Sequence, residues 1–194
     1  ADLSLLLDAW ARAAERLSPA PDSLRRLPLL PMPTDGFRNF AAAAAGEAPP
    51  PELPDPCAGR LEQLAEWEGN LAASIDADEV IHGDLRLDNM VLGADRAWIC
   101  DWTMPNLGAS WFDTAVFLVT AHGDGHPAEA LFWSHPTSAG VTDEQLDSVL
   151  AAVAGYCLCN SRKPLIDGVS PYVRRHQRWS GLATLDWLAR RRGW

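Results

Sequence analysis

Residues 80–113 read VIHGDLRLDNMVLGADRAWICDWTMPNLGASWFD, and the alternation of short apolar runs with polar residues there decides how the remainder of the chain is understood. Val80-Ile81, residues 90–92 and residues 97–100 are brief apolar runs of strand character, and the last two flank Gly93-Ala94-Asp95-Arg96, a four-residue turn. They predict a lone strand followed by a β-hairpin. The first strand ends in His82-Gly83-Asp84, Asn89 follows five residues after Asp84, and Asp101 leaves the second hairpin strand. In an antiparallel hairpin the residue entering one strand and the residue leaving the other sit together at the open end. Asn89 and Asp101 therefore meet, and Asp84, on the loop leading there, brings a third oxygen-bearing side chain. Mg2+ takes such oxygen ligands and keeps waters and phosphates in the rest of its shell. Composition gives on the order of 0.01 chance matches to this pattern. The second His-Gly-Asp, at 122–124, has Glu129 where an Asn is needed and reads as a polar loop.

Outward from this stretch the sequence is helical. Leu3, Leu6, Leu7, Trp10, Ala14 and Leu17 recur at helical spacing and stop at Ser18-Pro19. Residues 19–35 hold five prolines and read as loop with a short helical piece at 24–27, and a helix is expected from Phe37 through the alanines at 41–45. Five more prolines fall at 49–56, so residues 46–58 are expected to be a mobile surface loop. A helix fits 59–74, and everything after Ser110 is helical in character. Thr142 to Gln145 form a capping box, and Ser170-Pro171 reads as the start of a last helix.

At 194 residues, 47% hydrophobic and with net charge -10, the chain is expected to be a single soluble domain. No run matches a membrane span and Ala1-Asp2 lacks a secretory layout, so a cytoplasmic location is expected and no membrane partner. Residues 160–194 carry eight basic and two acidic side chains, and residues 1–159 carry 8 and 24. The acidic body argues against nucleic acid; it either serves only to keep the protein soluble or suits a cationic small molecule. The basic tail reads as the solvated face of the last helix. Cys57, Cys100, Cys157 and Cys159 form neither a zinc pattern nor a disulfide framework.

His82-Gly83-Asp84, Asn89, Asp101-Trp102, and Gly108 with Asp113 together resemble the catalytic core of the aminoglycoside phosphotransferase and choline kinase family, relatives of the protein kinases. The resemblance implies an α+β, mainly α-helical fold: a protein-kinase-like C-lobe with a short β-hairpin at the catalytic loop. By it, Asp84 resembles the catalytic base for a substrate hydroxyl, Asn89 and Asp101 resemble the Mg2+ ligands, and ATP is the phosphoryl donor. His82, Gly83, Trp102 and Asp113 resemble the supports of that loop; a helix N-cap serves Asp113 equally well. Arg86, two residues after Asp84, is expected either to reach a phosphate or to form a surface salt bridge. Arg86-Leu87-Asp88 replaces the family's common His-Pro-Gly, and Thr103 stands where Glu often follows Asp-Trp.

Such an enzyme also needs a β-rich nucleotide lobe with a strand lysine. The chain's one lysine, Lys163, lies far downstream in a Lys-Pro turn. Residues 1–194 are thus expected to be the C-terminal lobe, with the nucleotide lobe absent and activity poor without it. The leading expectation is an ATP- and Mg2+-dependent kinase for a cationic small molecule such as an aminoglycoside or amino alcohol. A non-catalytic kinase-like module and a metal-dependent phosphoesterase using His82, Asp84 and Asp101 are the alternatives. Asp143, Glu144 and Asp147 are candidates to line the acceptor site.

Overall fold

The apolar stripe of the first segment forms the helix it predicts: α1 (Leu3–Leu17) buries Leu6, Leu7, Ala9, Trp10 and Ala14 along one face. The computed structural model describes residues 3–25, 27, 29–165 and 167–194. Ala1 and Asp2, read above for a leader, and Arg26, inside the expected helical piece at 24–27, lie outside the described residues. After α1 come α2 (Asn39–Ala44), α3 (Leu61–Gly69), α4 (Leu71–Ser74), β1 (Val80–Ile81), β2 (Met90–Leu92), β3 (Ala97–Ile99) and β4 (Asn106–Leu107). Then follow α5 (Ser110–Gly123), α6 (Ala128–Ser134), α7 (Asp143–Ser161) and α8 (Tyr172–Arg192). The fold is α+β and mainly helical, as expected. Among the described residues no helix is long and apolar enough to cross a membrane. The chain divides into two compact units.

The first unit takes residues 1–33, 75–121 and 127–141. β2 and β3 form the expected hairpin, in the register Met90↔Ile99, Val91↔Trp98, Leu92↔Ala97. β1 pairs antiparallel with β4, Val80 opposite Leu107 and Ile81 opposite Asn106. The sequence does not announce β4: it is two residues long, follows a proline and acquires its partners from 25 and 27 positions upstream. Residues 30–32 add a bridge on its far side, where Leu107 donates to the Leu30 carbonyl and receives the Met32 N–H, both at 2.8 Å. Under these strands α5 buries Phe112, Ala115, Phe117, Leu118 and Val119. Trp10 Nε1 donates to Thr114 Oγ1 at 3.0 Å, and His135 Nε2 donates to the Leu7 carbonyl at 3.2 Å, so α1 is bonded to both the start of α5 and the turn after α6. Burial pushes the His135 pKa down, favouring the uncharged ring.

The second unit takes residues 34–74, 122–126 and 142–194. The capping box opens α7: Gln145 N–H donates to Thr142 Oγ1 at 3.3 Å while Gln145 Oε1 accepts the Thr142 N–H at 2.9 Å. α7 is buried on nearly every side from Leu146 to Gly155, and its small residues admit close neighbours. A Cβ at Gly155 would stand 2.6 Å from Glu68 Oε1. Glu68, itself buried, accepts the N–H of Asn39 at 2.9 Å and of Ala41 at 2.8 Å, satisfying the open end of α2. Residues 46–58 include a 3-10 turn, Asp55–Cys57, and Cys57 and Pro51 are buried.

The basic tail departs from its expectation. Arg191 is 4% exposed and its Nε donates to Asp147 Oδ1 at 2.7 Å, with Arg192 on the same carboxylate and Asp143 2.8 Å from Arg191 Nη2. Asp147 is fully buried. A charge in the interior needs a charged partner, so α8 turns two of its arginines toward α7. Asp147 is thereby removed as an acceptor-lining residue.

Candidate active site

β1 delivers the chain to a loop whose shape is fixed by backbone contacts. Gly83 has φ +79°, and a Cβ there would fall 2.6 Å from the Met104 carbonyl oxygen, so both conformation and space demand glycine. The buried Asp113, one turn into α5, accepts the N–H of His82 at 2.6 Å and of Gly83 at 3.0 Å. The His82 ring is occupied at both nitrogens. Nδ1 accepts the Asp84 N–H at 3.3 Å, and Nε2 lies 2.8 Å from the Cys100 carbonyl. A backbone N–H only donates and a carbonyl only accepts, so His82 is the neutral tautomer with its proton on Nε2. Trp102 tilts over the ring at 4.8 Å between centroids, and its Nε1 donates to the Ile99 carbonyl at 3.2 Å.

The loop closes on the hairpin through Asn89. Its Nδ2 donates to the Asp84 carbonyl at 2.8 Å and approaches Asp84 Oδ2 at 3.4 Å, while its carbonyl receives the Cys100 N–H at 2.8 Å. Cys100 is consequently held at both backbone groups, by Asn89 and by His82. The next residue, Asp101, adopts the left-handed region at φ +59° and is exposed, and its carbonyl accepts the Thr103 N–H at 2.8 Å. Asn106 Nδ2 holds the Met104 carbonyl at 2.8 Å, shaping the return of the chain into β4.

Arg86 bridges two carboxylates. Its Nε is 3.3 Å from Asp84 Oδ1 and its Nη2 is 3.3 Å from Asp88 Oδ2. The Asp84 side chain is 48% exposed. Burial raises its pKa; Asp88 adds to the rise and Arg86 opposes it. Burial pushes Asp113 further, up to about 7, against the stabilising N–H groups of His82, Gly83 and Leu85.

Three contributors are not apparent from the sequence. Cys100 acts through its backbone, Asn106 through β4, and Glu79 through its carboxylate, which accepts the Ser110 N–H at 2.7 Å and the Ser18 hydroxyl at 2.9 Å and so fixes the start of α5. The β2–β3 hairpin, which sets Cys100 opposite Asn89, and the β1–β4 pairing, which places Asn106, are the signals that could have pointed to two of them. The other His-Gly-Asp lies elsewhere: in the second unit His122 Nε2 sits 2.7 Å from Asp186 Oδ2. Lys163 is exposed in the turn after α7.

No curated protein and no solved structure matches the chain. Residues 1–148 match the phosphotransferase enzyme family (APH), a span that takes in α1, the β1–β4 pair, the hairpin and the whole of the loop just described. The chain belongs to that family, the kinase-like group of the aminoglycoside phosphotransferases and choline kinases.

Proposed function

We propose that the chain transfers the γ-phosphoryl group of ATP to a hydroxyl of a small, cationic molecule such as an aminoglycoside or amino alcohol. Asp84 is the base in this reading. The acceptor hydroxyl gives its proton to the Asp84 carboxylate as its oxygen bonds to the γ-phosphorus, the bond from that phosphorus to the β–γ bridging oxygen breaks, and ADP departs. The observation that carries the reading is the bracing of Asp84: its N–H is held by His82, its carbonyl by Asn89 and the preceding loop by Asp113, while its carboxylate stays half exposed. A nucleophile-aligning group benefits from such fixed geometry.

The donor set suits Mg2+. Among the described residues no three His, Cys, Asp or Glu side chains gather to hold a metal unaided. One carboxylate and one carboxamide leave places for water and phosphate oxygens, which is how Mg2+ is commonly bound. Asn89 spends its Nδ2 on Asp84, leaving Oδ1 as its acceptor for the cation. Mg2+ supplies charge neutralisation on the phosphates when bound. Asp101 and Asn89 would hold it, and Arg86 would exchange its pairing with Asp84 for a phosphate oxygen. In this reading the phosphates are also met by a strand lysine of a nucleotide lobe, and the enzyme works in the cytoplasm.

The Arg86–Asp84 ion pair favours a second reading, a non-catalytic kinase-like module whose base is already engaged. Full-length protein with ATP-Mg2+ against aminoglycosides, amino alcohols and neutral sugars separates the two. Phosphorylation of a cationic acceptor that disappears in Asp84→Asn supports the kinase; phosphorylation that survives this change removes Asp84 as the base. If no acceptor is phosphorylated, in wild type or in Arg86→Ala, the binding module stands.

A further inference from the structure

In the second unit a cavity of about 340 Å³ lies between the proline run at 49–51, the end of α7 and the first half of α8. Its volume falls at the lower end of the range for small-ligand pockets. Arg162 and Arg178 supply its cationic groups, Glu52 its one carboxylate, and Pro50, Pro51 and Leu158 its apolar wall. No residue of the catalytic loop lines it.

The wall is held in place. Arg162, the residue that ends α7, donates through Nη1 to the Pro50 carbonyl at 2.8 Å and to the Pro49 carbonyl at 3.4 Å. Pro51 and Leu158 are buried, and each proline ring fixes its own φ. A pocket shaped before its ligand arrives loses little ordering free energy on binding.

The two guanidinium groups differ from those at the end of α8. Arg190 reaches Asp186 at 2.8 Å and Arg191 reaches Asp147 at 2.7 Å. Among the described residues no carboxylate pairs with Arg162, and Arg178 Nη2 stands 3.8 Å from Glu52 Oε2, beyond hydrogen-bond reach. Arg162 spends only Nη1 on the proline carbonyls, which leaves its Nε and Nη2 donors for a ligand. Prolines carry no N–H, so the guanidinium groups are the donors that an anion would meet on entering.

We infer that this cavity binds a small organic monocarboxylate with an aliphatic body. Its oxygens lie on Arg162 and Arg178, and its aliphatic part lies against Pro50, Pro51 and Leu158. The planar fork of a guanidinium matches a carboxylate in bidentate geometry. Two cations against one carboxylate leave the lining with a single positive charge, which balances a monoanion. Glu52 repels a phosphate monoester, whose charge is about −2. The site does not depend on the catalytic loop being active.

The experiment is calorimetric titration of the 194-residue chain with isocaproate, with isocaproamide and with acetate. Isocaproate binds. The amide, with the same body and no charge, and acetate, with the charge and no body, each bind more weakly by about tenfold or more. Arg178→Gln weakens isocaproate about tenfold, and Glu52→Gln, which removes the competing carboxylate, tightens it several-fold. Both side chains are exposed, so the fold is kept. Asp84→Asn leaves the affinity unchanged. Absence of isocaproate binding, equal binding of the amide or of acetate, or an affinity that neither Arg178→Gln nor Glu52→Gln moves overturns the inference. Loss of binding in Asp84→Asn does so too, by moving the ligand to the catalytic loop.

Discussion

The carboxylate of Asp113 accepts the backbone N–H of His82 at 2.6 Å, from a side chain with no solvent exposure, across 31 residues of sequence. The contact is to main chain, so it fixes the path of the loop while leaving the side chains that face a substrate to vary. Its removal has a defined cost. Asp113→Ala strands the N–H groups of His82 and Gly83 in the interior, at about 1–3 kcal/mol for each. Urea denaturation should read a loss of several kcal/mol, and the amides of residues 82 and 83 should exchange with solvent much faster. Asp113→Asn keeps one acceptor oxygen and should lose less.

Stability should also respond to pH through this group. With its pKa raised to about 7 by burial, folded Asp113 retains a proton that the unfolded chain releases from about pH 4 upward. Its contribution is fully present below that window, falls as pH rises through it, and is constant above. Glu68, raised by burial, acts in the same direction; His135, lowered by burial, opposes them by weakening the fold as pH drops below the ordinary histidine range. Denaturation midpoints across pH 4 to 8 should fall less steeply for Asp113→Asn than for wild type.

Arg86 and Asp88 tune Asp84 in opposite senses. For the proposed phosphoryl transfer, the acid limb of the kcat/KM profile should lie above the usual aspartate range. Arg86→Ala moves it to higher pH and Asp88→Asn to lower pH. Profiles that coincide in all three proteins would leave Asp84 without a part in the rate.

Gly83→Ala combines a left-handed backbone with a side-chain atom driven toward the Met104 carbonyl. The backbone term alone is about 1–2 kcal/mol. A melting temperature lower by roughly 5 °C is expected for a chain of this size, measured by thermal unfolding.

In the second unit, Asp147→Ala removes the buried carboxylate shared by Arg191 and Arg192 while Asp143 still pairs with Arg191, so the loss should fall below the about 3–5 kcal/mol of a fully stranded buried charge. Asp147→Leu combined with Arg191→Met should recover most of it. The comparison by chemical denaturation distinguishes an ion pair that adds stability from one that only satisfies itself.

Features carried by local spacing were legible in the sequence. The leucine stripe of α1, the Thr142–Gln145 box and the Gly93–Arg96 turn all depend on neighbours within a few residues. What escaped depends on distant partners. β4 exists because β1 is beside it, and nothing in Asn106-Leu107 states this. Glu68 and Glu79 look like surface glutamates, yet each completes the open end of a helix from another segment. The run Arg190-Arg191-Arg192 looks solvated because its carboxylate, Asp147, lies more than forty residues away.

Cys100 has both main-chain groups committed, while its thiol is exposed and unpaired with any other cysteine. Position comes from the backbone, so the side chain is spare. Cys57 is buried and Cys157 and Cys159 are partly covered, which makes residue 100 the preferred point for attaching a fluorophore. An optical reporter would then sit one residue from Asp101 and test the proposed arrival of nucleotide or metal there, with no acceptor molecule needing to be known.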